Sequence, residues 1–271
     1  MRRHVFALLA AFAFTPVLAH ADTASIARGA YLAKAGDCIA CHTAPDGPAF
    51  AGGRRLHTPF GDLVGTNITP DRQTGIGGWS DTTFLNAVKK GIGSRGQRLY
   101  AAMPFASYAK VSDRDILDIK AYLDSLAPVH NAVEPNQLRF PFNIRLISAS
   151  VWSWLYFDPA PFSPDPARDG EWNRGAYLVN GLGHCAACHT PKNRLGADRA
   201  GKFLAGAEID GFYAPALNDT LRTGLGAWPV EEIAPYLPPA TSRHAVPTCP
   251  MAEVFIRSRQ FLPMPPPPAI A

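Results

Sequence analysis

The chain has 271 residues, 47% of them hydrophobic, with 26 basic and 22 acidic side chains. That is longer than a usual single domain, so two modest domains are expected rather than one large core. The formal charge of +4 includes Arg2 and Arg3; without them 24 basic residues face 22 acidic ones, and a balance of +2 argues against nucleic acid as a partner.

Residues 1–21 read as a secretory signal peptide. Arg2 and Arg3 give the positive start, Val5 to Leu18 an apolar run too short to span a bilayer, and Ala19-His20-Ala21 a small-x-small cleavage site. The expected location is the periplasm, on or near the periplasmic face of the inner membrane. No later segment reads as a membrane span, since the apolar stretch from Phe142 to Phe157 is short and carries Arg145.

Residues 22–130 form the first expected domain, with three helices. One covers about Ile26 to Lys34. The next starts after Ser80 as N-cap, turns Phe84, Leu85 and Val88 inward, and stops at Gly91. The third opens with Ser112 and Asp115 in capping-box spacing, buries Ile116, Ile119, Leu123 and Leu126, and is closed by Pro128. Long Gly- and Pro-containing loops with weak strand signals lie between them. Residues 131–169 form a connector rich in proline and aromatic rings, among them Phe140, Phe142, Trp152, Trp154, Tyr156, Phe157 and Phe162, which is expected to pack on the domains.

Residues 170–257 repeat the first domain. Arg28-Gly29-Ala30-Tyr31-Leu32 precedes Cys38, and Arg174-Gly175-Ala176-Tyr177-Leu178 precedes Cys185. Phe50-Ala51-Gly52 answers to Leu204-Ala205-Gly206, and Thr74 to Trp79 answers to Thr223 to Trp228. Each half ends in a methionine, 61 positions from His42 to Met103 and 62 from His189 to Met251, as two copies of one module require. The expected fold is therefore mainly α, with two tandem domains of one module, each a few helices wrapped by long loops. The second domain is expected to be C-terminally incomplete. Pro235 interrupts the helix anticipated after Trp228, nine of the 26 prolines lie from Pro238 onward, and residues 258–271 form an irregular Pro-rich tail. Frameshifts around residues 238–250 and after about Ser258 would account for this composition and for the stray Cys249.

Four of the five cysteines sit in two Cys-x-x-Cys-His units, the spacing of covalent haem attachment, so the two modules are expected to be tandem cytochrome c-like domains with long loops around covalent haem. On one helical turn Cys38 and Cys41 lie on the same face and can each form a thioether to one porphyrin, with His42 reaching the iron from that side. Cys185, Cys188 and His189 repeat the arrangement. A methionine thioether from a distant loop, Met103 in one half and Met251 in the other, would fill the opposite axial position with a soft ligand. A thiol-disulfide motif needs no trailing histidine. A zinc site would join units almost 150 residues apart and leave both histidines and both methionines without a role. Trp79 and Trp228 are candidates either for hydrogen bonds to haem propionates or for core packing, and Arg54 and Arg55 either neutralise a propionate or form a solvated face. His184 stands too close to a thioether to be an iron ligand. His57, His130 and His244 have no repeated counterpart and read as surface or core residues.

At these residues the chain resembles the cytochrome c subunit of bacterial membrane-associated alcohol, gluconate, sorbitol and fructose dehydrogenases. The stretches that carry the resemblance are Gly36 to Thr43, Thr58 to Gly61, Asn67 to Asp71, Tyr100 to Pro104, Gly183 to Pro191 and Met251 to Val254. It implies three cytochrome domains in series in the family, of which two are expected here because the chain ends 20 residues after Met251. It also implies a role in passing electrons from a dehydrogenase catalytic partner that carries flavin or pyrroloquinoline quinone to membrane ubiquinone or the terminal oxidase side, with no substrate site of the chain's own. The competing readings are a dihaem peroxidase-like enzyme with one open iron, and a truncated, non-functional remnant of the three-haem subunit.

Overall fold

The computed structural model describes residues 22–209, 211–233 and 246–254. The expected signal peptide, Pro235, His244 and the Pro-rich tail lie outside the described residues.

Helix α1 runs from Thr23 to Ala35, beginning three residues before the sequence-based start because the Asp22 side chain caps it by accepting from the Ser25 amide. A single turn, α2, spans Cys38–Cys41. Strands β1 (Arg55–Thr58) and β2 (Gly61–Val64) then form an antiparallel hairpin with Arg55 opposite Val64 and Thr58 opposite Gly61. Helix α3 (Asp81–Lys90) is capped by Ser80, whose hydroxyl accepts from the Thr83 amide, and ends at Gly91 in the left-handed conformation, as its sequence dictates. A short α4 (Phe105–Tyr108) leads to α5 (Asp113–Asp124), capped by the Ser112 hydroxyl on the Asp115 amide.

The framework of this half is the crossing of α1 on α5. Leu32 and Ala33 meet Ile116, Ile119 and Leu123 in one buried cluster. Each fully buried aliphatic side chain there is worth about 1.5–3 kcal/mol relative to exposure. The helices come close because position 29 is glycine: a methyl group there would overlap the Asp118 carbonyl and stand 2.9 Å from the Tyr122 Cβ. Asp118 is buried at the crossing on the polar side. Its carboxylate accepts from Arg28 Nε at 2.7 Å, from Arg28 Nη2 at 3.1 Å and from the Ser25 hydroxyl. Burial alone would raise this carboxyl, but the Arg28 guanidinium and the Ser25 hydroxyl outweigh it and hold it below the usual carboxylate range. Hydrophobic periodicity gave no sign of a buried carboxylate at this place.

Strand β3 (Gln137–Leu138) adds to β2 and brings the connector onto the first half. A π-helical turn (Leu146–Val151) continues into α6 (Trp152–Tyr156). One face packs as expected: Phe142 lies on Phe60 with ring centroids 4.5 Å apart, and Trp152 and Phe157 meet Phe105 edge-on at 6.0 and 5.3 Å. The other face does not, for Phe140 is 78% exposed and Trp154 82% exposed.

In the second half α7 (Gly170–Asn180) is capped by Asp169 and α8 spans Ala186–His189. The β4 (Ala207–Ile209) and β5 (Phe212–Ala214) hairpin follows, then short helices α9 (Val230–Ile233) and α10 (Cys249–Val254). Tyr177 and Leu182 from this half are members of the same buried cluster as Leu32 and Ile116. The Tyr177 hydroxyl accepts from the Ser112 amide at 2.9 Å and donates to Asp115 at 2.7 Å, so it grips the N-terminus of α5. No helix among the described residues is long and apolar enough to cross a membrane.

Gly29→Ala is expected to destabilise the fold by roughly 1–3 kcal/mol in chemical denaturation. Gly175→Ala, at the matching place in α7 where no described atom lies within 4 Å of the added methyl, should be neutral or stabilising by up to about 1 kcal/mol. Because the folded state holds the Asp118 carboxyl low, its contribution is present above the ordinary carboxylate range and is lost as pH falls through the depressed value. Asp118→Asn should therefore flatten the loss of stability below about pH 4, and an unchanged acid limb would rule that contribution out.

Candidate haem-attachment sites

Both Cys-x-x-Cys-His units are built the same way. The residue before each first cysteine has left-handed backbone, Asp37 at φ 52° and His184 at φ 33°, which turns the chain from the preceding helix into the motif. His42 donates its amide to the Cys38 carbonyl at 3.0 Å, and His189 donates to Cys185 at the same distance. The next residue is a threonine in each case. The Thr43 hydroxyl accepts from the Phe50 amide at 3.0 Å, and the Thr190 hydroxyl accepts from the Leu204 amide at 2.9 Å. Phe50 and Leu204 are themselves left-handed, at φ 62° and 53°. Gly52 and Gly206 then donate to the carbonyls of His42 and His189 at 2.8 and 2.9 Å. The sequence repeat is thus a repeat of backbone hydrogen bonds as well.

The loop closes on the imidazole. His42 Nδ1 lies 2.7 Å from the Thr66 carbonyl oxygen, and His189 Nδ1 lies 2.6 Å from that of Pro215. A carbonyl only accepts, so Nδ1 carries the hydrogen and Nε2 keeps its lone pair. Burial pushes the pKa of both histidines down, more than the carbonyl bond raises it, which favours the neutral ring. An oriented, neutral imidazole with a free Nε2 is what an axial iron ligand requires.

No disulfide joins Cys38, Cys41, Cys185 and Cys188 to one another. Burial, reinforced by Asp37, pushes Cys38 up to about 12 and Cys41 up to about 11. A redox-active Cys-x-x-Cys has at least one thiol shifted the other way, so this apolar setting disfavours thiol-disulfide chemistry and suits a porphyrin edge. The donor set and its surroundings fit covalent haem.

Met103 sits in the turn closed by its own amide on the Tyr100 carbonyl at 3.1 Å, and its side chain packs against the buried cluster that also receives Cys38 and Ile39. Trp79 packs on that cluster too. Met251 is half-buried on α10, whose Glu253 pairs with Arg54 at 3.1 Å. This brings the Met251 helix beside the first motif, where the Cys41 thiol senses both Glu253 and Cys188. Arg54 and Arg55, considered from sequence as propionate partners, already have carboxylates: Glu253 for the first, Asp62 and Glu134 for the second. His57 and His130 are surface residues beside Asp62 and Asp71, and the His184 ring stands edge-on to Tyr108 with centroids 5.9 Å apart. Reading by motif overlooked Thr43, Thr190 and the Thr66 and Pro215 carbonyls. The repeated threonine after each histidine was the available signal; the carbonyls had none.

Residues 24–123 match the family described as cytochrome c oxidase, cbb3-type, subunit III. The chain is 40% identical over 252 residues to the fructose dehydrogenase cytochrome subunit of Gluconobacter japonicus, covering 92% of this chain and 51% of that one. It is 46% identical over 235 residues to one of the subunits of the nicotinate dehydrogenase of Pseudomonas putida, covering 86% and 20%. A diheme cytochrome c-type protein of Cereibacter sphaeroides is 43% identical over 190 residues, 68% of this chain and 63% of its own. The chain spans about half the length of the fructose dehydrogenase relative and a fifth of the nicotinate dehydrogenase one. Over most of its length, then, the chain is homologous, at 37–40% identity, to cytochrome c subunits of bacterial alcohol, gluconate and fructose dehydrogenases.

Proposed function

We propose that the chain is a periplasmic dihaem electron carrier, organised as two tandem cytochrome c domains. Cys38, Cys41 and His42 attach one haem c and Cys185, Cys188 and His189 the other, with Met103 and Met251 as the distal ligands. The observation that carries this reading is the doubled Nδ1–carbonyl bond, which leaves each Nε2 directed and unprotonated. When bound, haem supplies a one-electron couple. The polypeptide holds the imidazole and buries Cys38 and Cys41, and the thioethers of Met103 and Met251 would fill the remaining iron position.

The donor is a dehydrogenase catalytic subunit carrying flavin or pyrroloquinoline quinone, and the acceptor is ubiquinone on the membrane side. The relatives' names, which describe cytochrome subunits of dehydrogenases, support the donor class. The chain would act as a relay without a substrate site of its own.

Protein exported with its maturation machinery should exceed the mass of the processed polypeptide by two haem groups, and a colourless product of bare mass would end the proposal. Met103→Ala should remove the methionine-to-iron charge-transfer band of one haem while leaving haem content unchanged. The purified wild type should turn over hydrogen peroxide only slowly; rapid turnover would favour the peroxidase alternative.

A further inference from the structure

The segment that carries Met103, from Arg98 to Pro104, forms no helix; inside the first half Arg98 makes a β-bridge with Ile92 and donates through Nη1 to the Lys90 carbonyl at 3.2 Å. On the near side Leu99 donates to the Gly91 carbonyl at 2.8 Å, and fully buried Phe105 anchors the exit. Further contacts on Arg98, Tyr100 and Phe105 come from the connector. Arg145 donates through Nη1 to the Arg98 carbonyl at 2.8 Å, and its guanidinium lies 4.5 Å from the centre of the Tyr100 ring. The Tyr100 hydroxyl donates to the Phe142 carbonyl at 3.2 Å. Trp152 and Phe157 close on Phe105. The connector is itself anchored: Arg139 donates its amide to the Phe60 carbonyl at 2.9 Å, and the Trp152 indole donates to the Leu195 carbonyl of the second half at 3.1 Å.

We infer that the connector is a clamp on the methionine loop, and that Arg145 is the positioning residue that sets how firmly Met103 is presented to the first haem. The inference rests on the reading of Met103 as an axial ligand. A thioether is a weak, neutral ligand, so its occupancy depends on how much of the loop's freedom has been removed before it binds. One planar guanidinium joins the Arg98 carbonyl to the face of Tyr100, and Tyr100 in turn reaches Phe142, so three points of the loop and connector are fixed around a single side chain. Lysine keeps the charge but lacks the fork that bonds a carbonyl while stacking on a ring.

The test follows the first haem in the complete holoprotein. Arg145→Ala should weaken the methionine-to-iron band, lower the reduction potential of that haem and speed cyanide binding to it roughly tenfold, with haem content and helical circular dichroism as in wild type. Arg145→Lys should fall between, Tyr100→Phe should show a smaller effect of the same sign, and Arg139→Ala, on the same connector, should match wild type. If Met103→Ala abolishes the band while Arg145→Ala binds cyanide at the wild-type rate, the clamp is overturned and the ligand assignment stands. A Met103→Ala protein that keeps its band overturns the assignment itself, and the clamp with it. Should Arg145→Ala not mature, Arg145→Lys and Tyr100→Phe decide: wild-type cyanide rates in both overturn the inference.

Discussion

A histidine presents one ring nitrogen in a fixed direction only if the other is tied to something that does not move. Here that tether is a backbone carbonyl, Thr66 for His42 and Pro215 for His189, 24 and 26 residues downstream of the ring. The polypeptide between must therefore fold back on the motif. The threonine hydroxyls, the left-handed Phe50 and Leu204, and the glycine amides on the histidine carbonyls all serve that return. Helices placed around such a loop can be short, because its conformation is set by hydrogen bonds that are satisfied locally.

The same constraint explains why the two repeats pack together. A unit with one small helix crossing buries little apolar surface by itself. Tyr177 and Leu182 complete the cluster begun by α1 and α5, and the Tyr177 hydroxyl joins a helix N-terminus of the other repeat. Burial and the bond to Asp115 push that phenol up to about 12, against the opposing effect of Ser112, so it remains a neutral donor to Asp115 throughout the physiological range. The Arg54–Glu253 pair adds a second tie between the halves, close to Cys41. Being partly exposed, it contributes orientation more than stability.

The connector divides its aromatic rings between two faces. Those directed inward fill gaps between the hairpin, α4 and the second half, while Phe140 and Trp154 stay in water. Aromatic enrichment alone indicates only that a segment is not a solvated tether. Which ring faces which way depends on the π-helical turn, which shifts the helical register between Leu146 and Val151 and has no short-range sequence signature.

What the amino-acid order determined by itself was whatever local chemistry specifies: the caps at Ser80 and Ser112, the stop at Gly91, the inward face of α5, the Cys-x-x-Cys-His motif and its doubling. These depend on spacing over three or four residues, or on self-similarity, and both are visible in one dimension. Tertiary structure alone decided the rest. Asp118 looks like a surface carboxylate until α1 lays Ser25 and Arg28 over it. Arg54 and Arg55 look like free cations until distant carboxylates reach them. The histidine tethers are carbonyls, which every residue possesses, so no side chain marks them. Contacts of this kind join positions tens of residues apart through groups common to the whole backbone or to the whole surface, and only the folded path of the chain selects which of them meet.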